Sequence, residues 1–312
     1  MNSSNALLGL FTETSLHSGA GQALGVIDLP IQREAHTAWP CVFGSAVKGA
    51  LRARAETGQD GEKRLLADEV NLIFGQADFA PGQSSEYAGA LSVGDARLLL
   101  LPVRSLTTHF RWATCPAALQ RFQRDVERLG IAGLDAFETP GVEGETALVA
   151  EAVNGGHLFL EEYRFEAKAM DLSAIVAALA KLMPDGLGDA LKKQLAIVAD
   201  DHFRHLAEHA TPVNAHVRLD KKTVAKGALW YEETLPPETL LYVGLNAVKA
   251  RKPGSELTAD AVMQRLREAL FGEHPYLQLG GNETVGMGWC RATFLPSPSG
   301  RGAGGEGEGQ EG

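Results

Sequence analysis

The sequence predicts an α+β protein, and three patterns carry that expectation. Leu98 to Leu101 is an unbroken apolar run of strand length, as in a strand buried on both faces, although a short buried helix leaves the same trace. Leu119, Phe122, Val126 and Leu129 recur at steps of three and four, the mark of a helix with one apolar face. Val213, Ala215, Val217 and Leu219 alternate with polar residues, the mark of a half-exposed strand. Strand and helix signals then alternate irregularly along the chain, which favours α+β over a regular parallel-sheet repeat.

Taken in order, residues 6–12 read as a mostly buried first strand, and 22–43 look irregular. A helix is expected over 44–54 and another over 64–74, the second ending at Gly75. Residues 76–88, with Pro81, Gly82 and two serines, read as a loop. Strands follow at Ala90–Val93, Ala96–Val103 and about 109–114, and Pro116 suits the first position of the next helix, which Gly130 ends. Residues 130–147 are Gly-rich and read as a surface insertion, and 157–168 read as a strand. The Ala- and Leu-rich stretch 171–199 looks like two helices broken at Pro184 to Gly188. Residues 213–234 form a long hairpin around a basic turn with Lys221, Lys222 and Lys226. A strand over 239–247, a helix capped by Thr258 and stopped by Gly272, and a last strand over 285–295 complete the chain. The tail from Pro296 has almost nothing apolar to bury and is expected to be disordered.

At 312 residues the chain can bury a sizeable core, and length alone suggests about two domains. No apolar run reaches the roughly 18 residues of a membrane span, and Met1 to Phe11 lacks a basic leader, so no signal peptide is expected. Cys41, Cys115 and Cys290 are far apart and odd in number, which points to reduced thiols in a cytoplasm and not to a disulfide framework or a zinc site. A net charge of -10 argues only weakly against nucleic acid, because binding follows local potential along one groove. The acidic residues cluster at Glu161-Glu162, Asp200-Asp201, Glu232-Glu233 and the tail.

The stretch from His17 to Arg54 departs from that acidic balance. It opens on Gly19-Ala20-Gly21, where glycines permit tight turns or close approach to a ligand. Asp28 then sits among apolar neighbours ahead of Pro30, and Arg33 and His36 follow. Lys48 and Arg52 lie at i and i+4 on one face of the expected helix. Two readings fit these residues: a polyanion held near a reactive carboxylate, or an ordinary loop, a capped helix and a solvated charged face.

HSGAGQALGVIDLPIQREAHT followed by GSAVKGALR resembles the signature of the RAMP (repeat-associated mysterious protein) superfamily, and more narrowly the backbone subunit of the Cmr, type III-B, CRISPR effector complex. SVGDARLLLLPVRS, KGALWYEETLPPETLLY and GGNETVGMGWC agree and follow in the expected order over nearly the whole chain. The resemblance implies a ferredoxin-like, RNA-recognition-motif core with an inserted helical subdomain and a β-hairpin thumb. It divides the chain into 1–129 as the first part of the palm, 130–210 as an inserted, largely helical subdomain, 211–238 as the thumb, 239–295 as the last part of the palm and 296–312 as the tail.

Residue by residue, the resemblance makes Asp28 the aspartate required for cutting target RNA and His17 a contact to phosphate or the donor to the leaving 5′-oxygen. Free aspartate titrates at about 3.9, too low for an efficient base near pH 7, so Asp28 is expected to hold a hydrated divalent cation, Mg²⁺ above all, with proton abstraction second. Guide-RNA contacts fall on Arg33, Ser45, Lys48 and Arg52, with backbone donors at the helix N-terminus near Gly44. Ala46 stands where relatives often carry a second serine. Gly280, Gly281, Asn282, Gly286 and Gly288 match a Gly-rich loop that approaches RNA phosphates, although Met287 replaces a common basic residue. Lys221 and Lys222 at the hairpin tip are further RNA contacts. Trp230 and Tyr231 either stack on bases or pack, and Glu232 and Glu233 are placed near the scissile phosphate as metal partners. His202, His205 and His209 with Asp200 and Asp201 suggest a metal site, but one helix rarely supplies three good ligands, and an exposed polar face is expected.

The implied partners are guide CRISPR RNA, target RNA, further copies of the chain stacked head-to-tail, other RAMP subunits, a large polymerase-like subunit and a small helical subunit. Two alternatives remain open at this point: a guide-binding scaffold that does not cut, and a metal-independent RAMP endoribonuclease that processes guide precursors through His17. A carbohydrate-binding protein would need aromatic platforms, which 7% aromatic content does not suggest.

Overall fold

The middle of the molecule is a ten-residue strand, β1 (Ser3–Thr12), buried along almost its whole length. The structure is a computed structural model that describes residues 3–22, 25–57, 64–76, 86–220 and 223–298. After β1 come β2 (Cys41–Val42), α1 (Gly44–Glu56), α2 (Ala67–Phe74), β3 (Leu91–Val93), β4 (Ala96–Arg104), β5 (Phe110–Thr114) and α3 (Pro116–Leu129). The middle of the chain supplies β6 (Thr146–Val149), β7 (His157–Leu160), β8 (Tyr163–Ala169), α4 (Ser173–Ala180), α5 (Gly188–Gln194), β9 (Leu195–Val198) and α6 (Asp200–His209). Last come β10 (Val213–Asp220), β11 (Thr223–Glu233), β12 (Leu240–Val248), α7 (Ala259–Arg265), β13 (Tyr276–Gln278) and β14 (Trp289–Pro296).

Four of these strands stand in the order β14-β1-β12-β4, each antiparallel to its neighbour. Helix α1 lies between β1 and β4 in the chain, and α7 lies between β12 and β14. That order and those two crossovers are a ferredoxin-like core, as expected. The chain between β4 and β12 is a long insertion in the place where a minimal core would have a hairpin.

Side chains of β1 alternate between two cores. Ala6, Leu8 and Leu10 face α1, α2 and α7 through Val47, Leu51, Val70, Ile73 and Val262. Leu7 and Phe11 face the other way, toward Leu119, Phe122 and Leu129 of α3 and Leu179 of α4. The apolar run Leu98–Leu101 is indeed a strand buried on both faces. Its register slips by one residue against β12, with Leu98 opposite Leu241 and Leu100 opposite Leu240. That bulge lets Leu99 and Leu100 face the same core, which strict alternation forbids.

The segment 130–210 is not largely helical. It carries β6, β7, β8 and β9, which continue the main sheet beyond β5 in the order β9-β6-β8-β7. Leu195–Val198, expected inside a helix, is four consecutive buried residues paired with β5 and β6. A short apolar run has no period, so local pattern cannot separate helix from strand there. The hairpin β10–β11 stands apart as a two-stranded ribbon. Lys221 and Lys222 at its tip and residues 299–312 of the tail lie outside the described residues. Among the described residues no helix is long and apolar enough to cross a membrane.

Candidate functional site

Three separate stretches meet at the base of the hairpin: the loop 15–32, the end of β11 and the Gly-rich turn before β14. The loop doubles back on itself, with Ala20 N donating to Pro30 O (2.9 Å) and Gln32 N to Ser18 O (2.7 Å). Its second arm then pairs with β11, Leu29 N donating to Tyr231 O and receiving Glu233 N, each at 3.0 Å. Leu29 therefore forms a parallel bridge on the edge of the hairpin, and Ile31 N follows it with a bond to the Glu233 side chain.

Asp28, the residue before this bridge, is exposed. Its Oδ2 accepts from Tyr231 N at 2.7 Å, and among the described residues Oδ1 has no partner. His17 is 9% exposed, and its Nδ1 lies 2.7 Å from Glu233 O. A carbonyl only accepts, so Nδ1 carries the hydrogen and Nε2 is the nitrogen left for chemistry. A side chain on Gly19 would come within 2.9 Å of that Nε2, which leaves glycine as the residue that keeps the nitrogen clear.

The Gly-rich turn closes over the same histidine. Gly281 N donates to His17 O (2.9 Å) and Gly288 N to Ser15 O (2.8 Å). Gly280, Asn282, Gly286 and Gly288 all adopt positive φ, the conformation that glycine and asparagine tolerate best. Asn282 Nδ2 donates to Glu232 Oε1 at 2.5 Å, and the same oxygen lies 3.9 Å from His17 Nδ1. Gly280, Gly281 and residues 283–286 are exposed, so the turn offers backbone to a ligand.

The family model of the RAMP superfamily matches residues 10–291. The chain belongs to the RAMP superfamily. It is 36% identical over 295 residues, 92% of this chain and 95% of the relative, to the CRISPR system Cmr endoribonuclease Cmr4 of Pyrococcus furiosus. A solved structure of oligomeric Cmr4 from Pyrococcus furiosus superposes with a TM-score of 0.70 at 31% identity, over 94% of this chain and 98% of that one. A chain of the type III-B Cmr-beta complex bound to cognate target RNA superposes with a TM-score of 0.68 over 94% and 97%; at 18% identity it shares the fold.

In this RAMP chain the expected basic contacts divide. Arg33 donates to Glu233 Oε1 (2.5 Å), Ala38 O (2.7 Å) and Ala207 O (2.8 Å), an internal clamp and not an open RNA contact. Arg52 likewise donates to Glu56 Oε1 (2.7 Å), Gly75 O (2.5 Å) and Asn71 Oδ1 (3.2 Å). Each cation is held by a carboxylate, Glu233 or Glu56, together with backbone carbonyls. The helix N-terminus is also taken, by Asp95 Oδ1 at 2.7 Å from Gly44 N. Ser45 is exposed. Lys48 is half-buried with Nζ 3.0 Å from Leu91 O, and burial first, then Arg251 and Arg52, lower its pKa. Arg251 is a cation the motif reading passed over; the basic run Lys249-Ala250-Arg251-Lys252 ahead of Pro253-Gly254 is its signal in the sequence.

Glu232 and Glu233, expected at the scissile phosphate, are 4% and 2% exposed and occupied by Asn282 and by Arg33 and Thr211 respectively. Tyr231 is exposed, while Trp230 stacks on His216 with ring centroids 5.5 Å apart. His202 packs edge-on against Tyr163 and Phe165, and His205 stacks on His209 at 4.2 Å. Among the described residues no group of three or more His, Cys, Asp or Glu converges as a metal cage. The three cysteines are buried free thiols, and burial pushes Cys41 and Cys290 up to about 12.

Proposed function

We propose that this chain is the repeated backbone subunit of a type III-B CRISPR ribonucleoprotein, holding guide RNA, stacking head-to-tail with copies of itself and cutting complementary target RNA at regular intervals. The observation that carries the reading is Asp28: an exposed carboxylate, fixed at one oxygen by the hairpin, in a chain 36% identical to an endoribonuclease along nearly its whole length. The solved oligomeric form of Cmr4 from Pyrococcus furiosus supports self-association; a head-to-tail stack would be an open, heterologous contact. Residues 211–238 are the thumb, and 1–129 with 239–295 the palm. Other RAMP subunits, a large polymerase-like subunit and a small helical subunit complete the assembly in the cytoplasm.

RNA brings its own nucleophile, the 2′-hydroxyl, so the protein's task is to hold the strand for in-line attack, and positioning contributes up to about 7 to 11 kcal/mol in good cases. Tyr231 N–H orients Asp28 so that Oδ1 faces outward. One exposed carboxylate fits a divalent cation that takes its other ligands from water and RNA phosphates, as Mg²⁺ commonly does. Held there by Asp28, such a cation would neutralise charge on the scissile phosphate. His17, its ring fixed through Nδ1 by Glu233 O, presents Nε2 as the donor to the departing 5′-oxygen when protonated. The exposed turn at 283–284 and the Lys48–Arg251 surface hold phosphates.

Chain assembled with guide RNA and a labelled complementary target in Mg²⁺ tests the reading. Regular cutting that stops on adding excess chelator is expected. Cutting that persists in chelator would point to metal-free processing through His17, and no cutting with intact target binding would leave a scaffold. On the guide side, Lys48→Ala should weaken binding and reduce the salt slope by about 1. Arg52→Ala should leave that slope unchanged and instead lower stability by about 1 to 2 kcal/mol in urea unfolding, since its hydrogen bonds are internal.

A further inference from the structure

Glu233 ends β11 and bonds both arms of the 15–32 loop, Arg33 and Thr211 while being itself 2% exposed. Its Oε1 accepts from Arg33 Nη2 at 2.5 Å and from Thr211 Oγ1 at 2.6 Å, and its Oε2 accepts from Ile31 N at 3.1 Å. Its backbone N donates to Leu29 O at 3.0 Å, and its backbone O holds His17 Nδ1 at 2.7 Å. A buried carboxylate is costly unless charge and hydrogen bonds compensate it, and here a guanidinium, a hydroxyl and an amide do so. Arg33 is tied in turn to Ala207 of α6, so the cluster joins the Asp28 loop, the hairpin and the insertion.

We propose that Glu233 is a positioning residue for target cutting: through its backbone to Leu29 and its carboxylate to Ile31 N it locks the 28–31 segment to the edge of β11, so that Asp28 and the hairpin form one rigid piece. Glu233 is too deeply buried to meet RNA and acts through Asp28 and His17. Where the hairpin docks on the guide–target duplex therefore decides where Asp28 lands. This inference rests on the reading of Asp28 as the residue that carries the cut.

Glu233→Gln keeps the shape and removes the charge that draws Arg33 in. In the assembled complex, single-turnover cutting should fall by about 100-fold, the effect of roughly an ångström of misplacement, while target affinity stays within about two-fold. Asp125→Asn serves as the stability control: it removes the charge of a carboxylate that accepts from Arg97 (2.8 Å) and Tyr242 (2.9 Å) on the opposite face of the sheet. It should lower the melting temperature and leave cutting unchanged. Wild-type cutting in Glu233→Gln, or an equal loss in Asp125→Asn at matched melting temperature, overturns the proposal. Should Glu233→Gln not fold, Thr211→Val replaces it, removing one 2.6 Å bond; a several-fold slower cut supports the lock and an unchanged rate overturns it. Asp28→Asn runs beside them. If Asp28→Asn cuts normally, the reading of the site fails and takes this inference with it. If Asp28→Asn is dead and Glu233→Gln is normal, only the inference fails.

Discussion

Asp28→Asn is expected to lose target cutting by about 100-fold or more, with guide and target binding unchanged. The amide keeps an oxygen for Tyr231 N–H, so the loop stays on the hairpin, and only the charge goes. Asp28→Ala should cost the same activity and at most about 1 kcal/mol of stability, because the exposed Tyr231 amide turns to water once the carboxylate is removed. Single-turnover cutting measured with excess complex, beside a binding isotherm for the same target, separates the two effects. A variant that binds and cuts normally would move the chemistry to His17 or to the hairpin. A variant that neither binds nor cuts would make Asp28 a contact for the RNA and not a participant in its cleavage.

The second large effect belongs to the Gly-rich turn. Gly288 has φ +83°, and a Cβ there would lie 1.9 Å from Leu279 O and 2.8 Å from Gln278 Nε2. The left-handed conformation alone costs a residue with a Cβ roughly 1 to 2 kcal/mol. The clash adds more, because Leu279 O is backbone and Leu279 N is itself bonded to Gly288 O at 2.9 Å. Gly288→Ala should therefore lose about 3 kcal/mol or more in urea unfolding. Gly286 is the internal control: its φ is also +83°, yet a Cβ would meet open space, so Gly286→Ala should show the conformational cost only, roughly 1 to 2 kcal/mol. Equal losses in the two variants would remove the steric account. At Gly280 the Cβ would lie 2.2 Å from His17 O, so Gly280→Ala should disturb the site as well as the fold.

What the sequence made legible follows from how local each signal is. The period of α3, the N-cap at Thr258, which accepts from Ala261 N at 3.2 Å, and the stop at Gly75 are written within one or two turns of chain. The resemblance singled out Asp28, His17 and the Gly-rich turn one by one, and the fold brings them together at the hairpin base through Tyr231, Glu233 and Gly281. Strands β6 and β9 were hidden because four-residue runs such as Thr146–Val149 have no period to read. The fate of Arg33 was hidden for a different reason. Whether a cation faces solvent or a carboxylate far along the chain is settled by tertiary pairing, and Glu233 stands two hundred residues from Arg33. Glu233 itself sits next to Glu232 in a pair that looks equivalent in the sequence, yet strand alternation sends one toward Arg33 and the other toward Asn282.

Helices cover both sides of the four-strand core, α1 and α7 on one and α3 with α4 on the other. An RNA-recognition motif ordinarily keeps one sheet face open and stacks two or three bases on its aromatics, which is how such a domain acquires a preferred word. Here the equivalent face carries Leu7, Phe11, Leu99, Leu100 and Tyr242 under Phe122 and Leu129, with no platform left for a base. The contacts proposed for RNA on this subunit are turns, amides and side-chain cations, which respond to phosphate and shape and are deaf to spelling. On the proposed reading, loss of the platform is what makes the subunit programmable: with that sheet face covered, the protein has given up the surface on which it would have had an opinion about the letters of its guide.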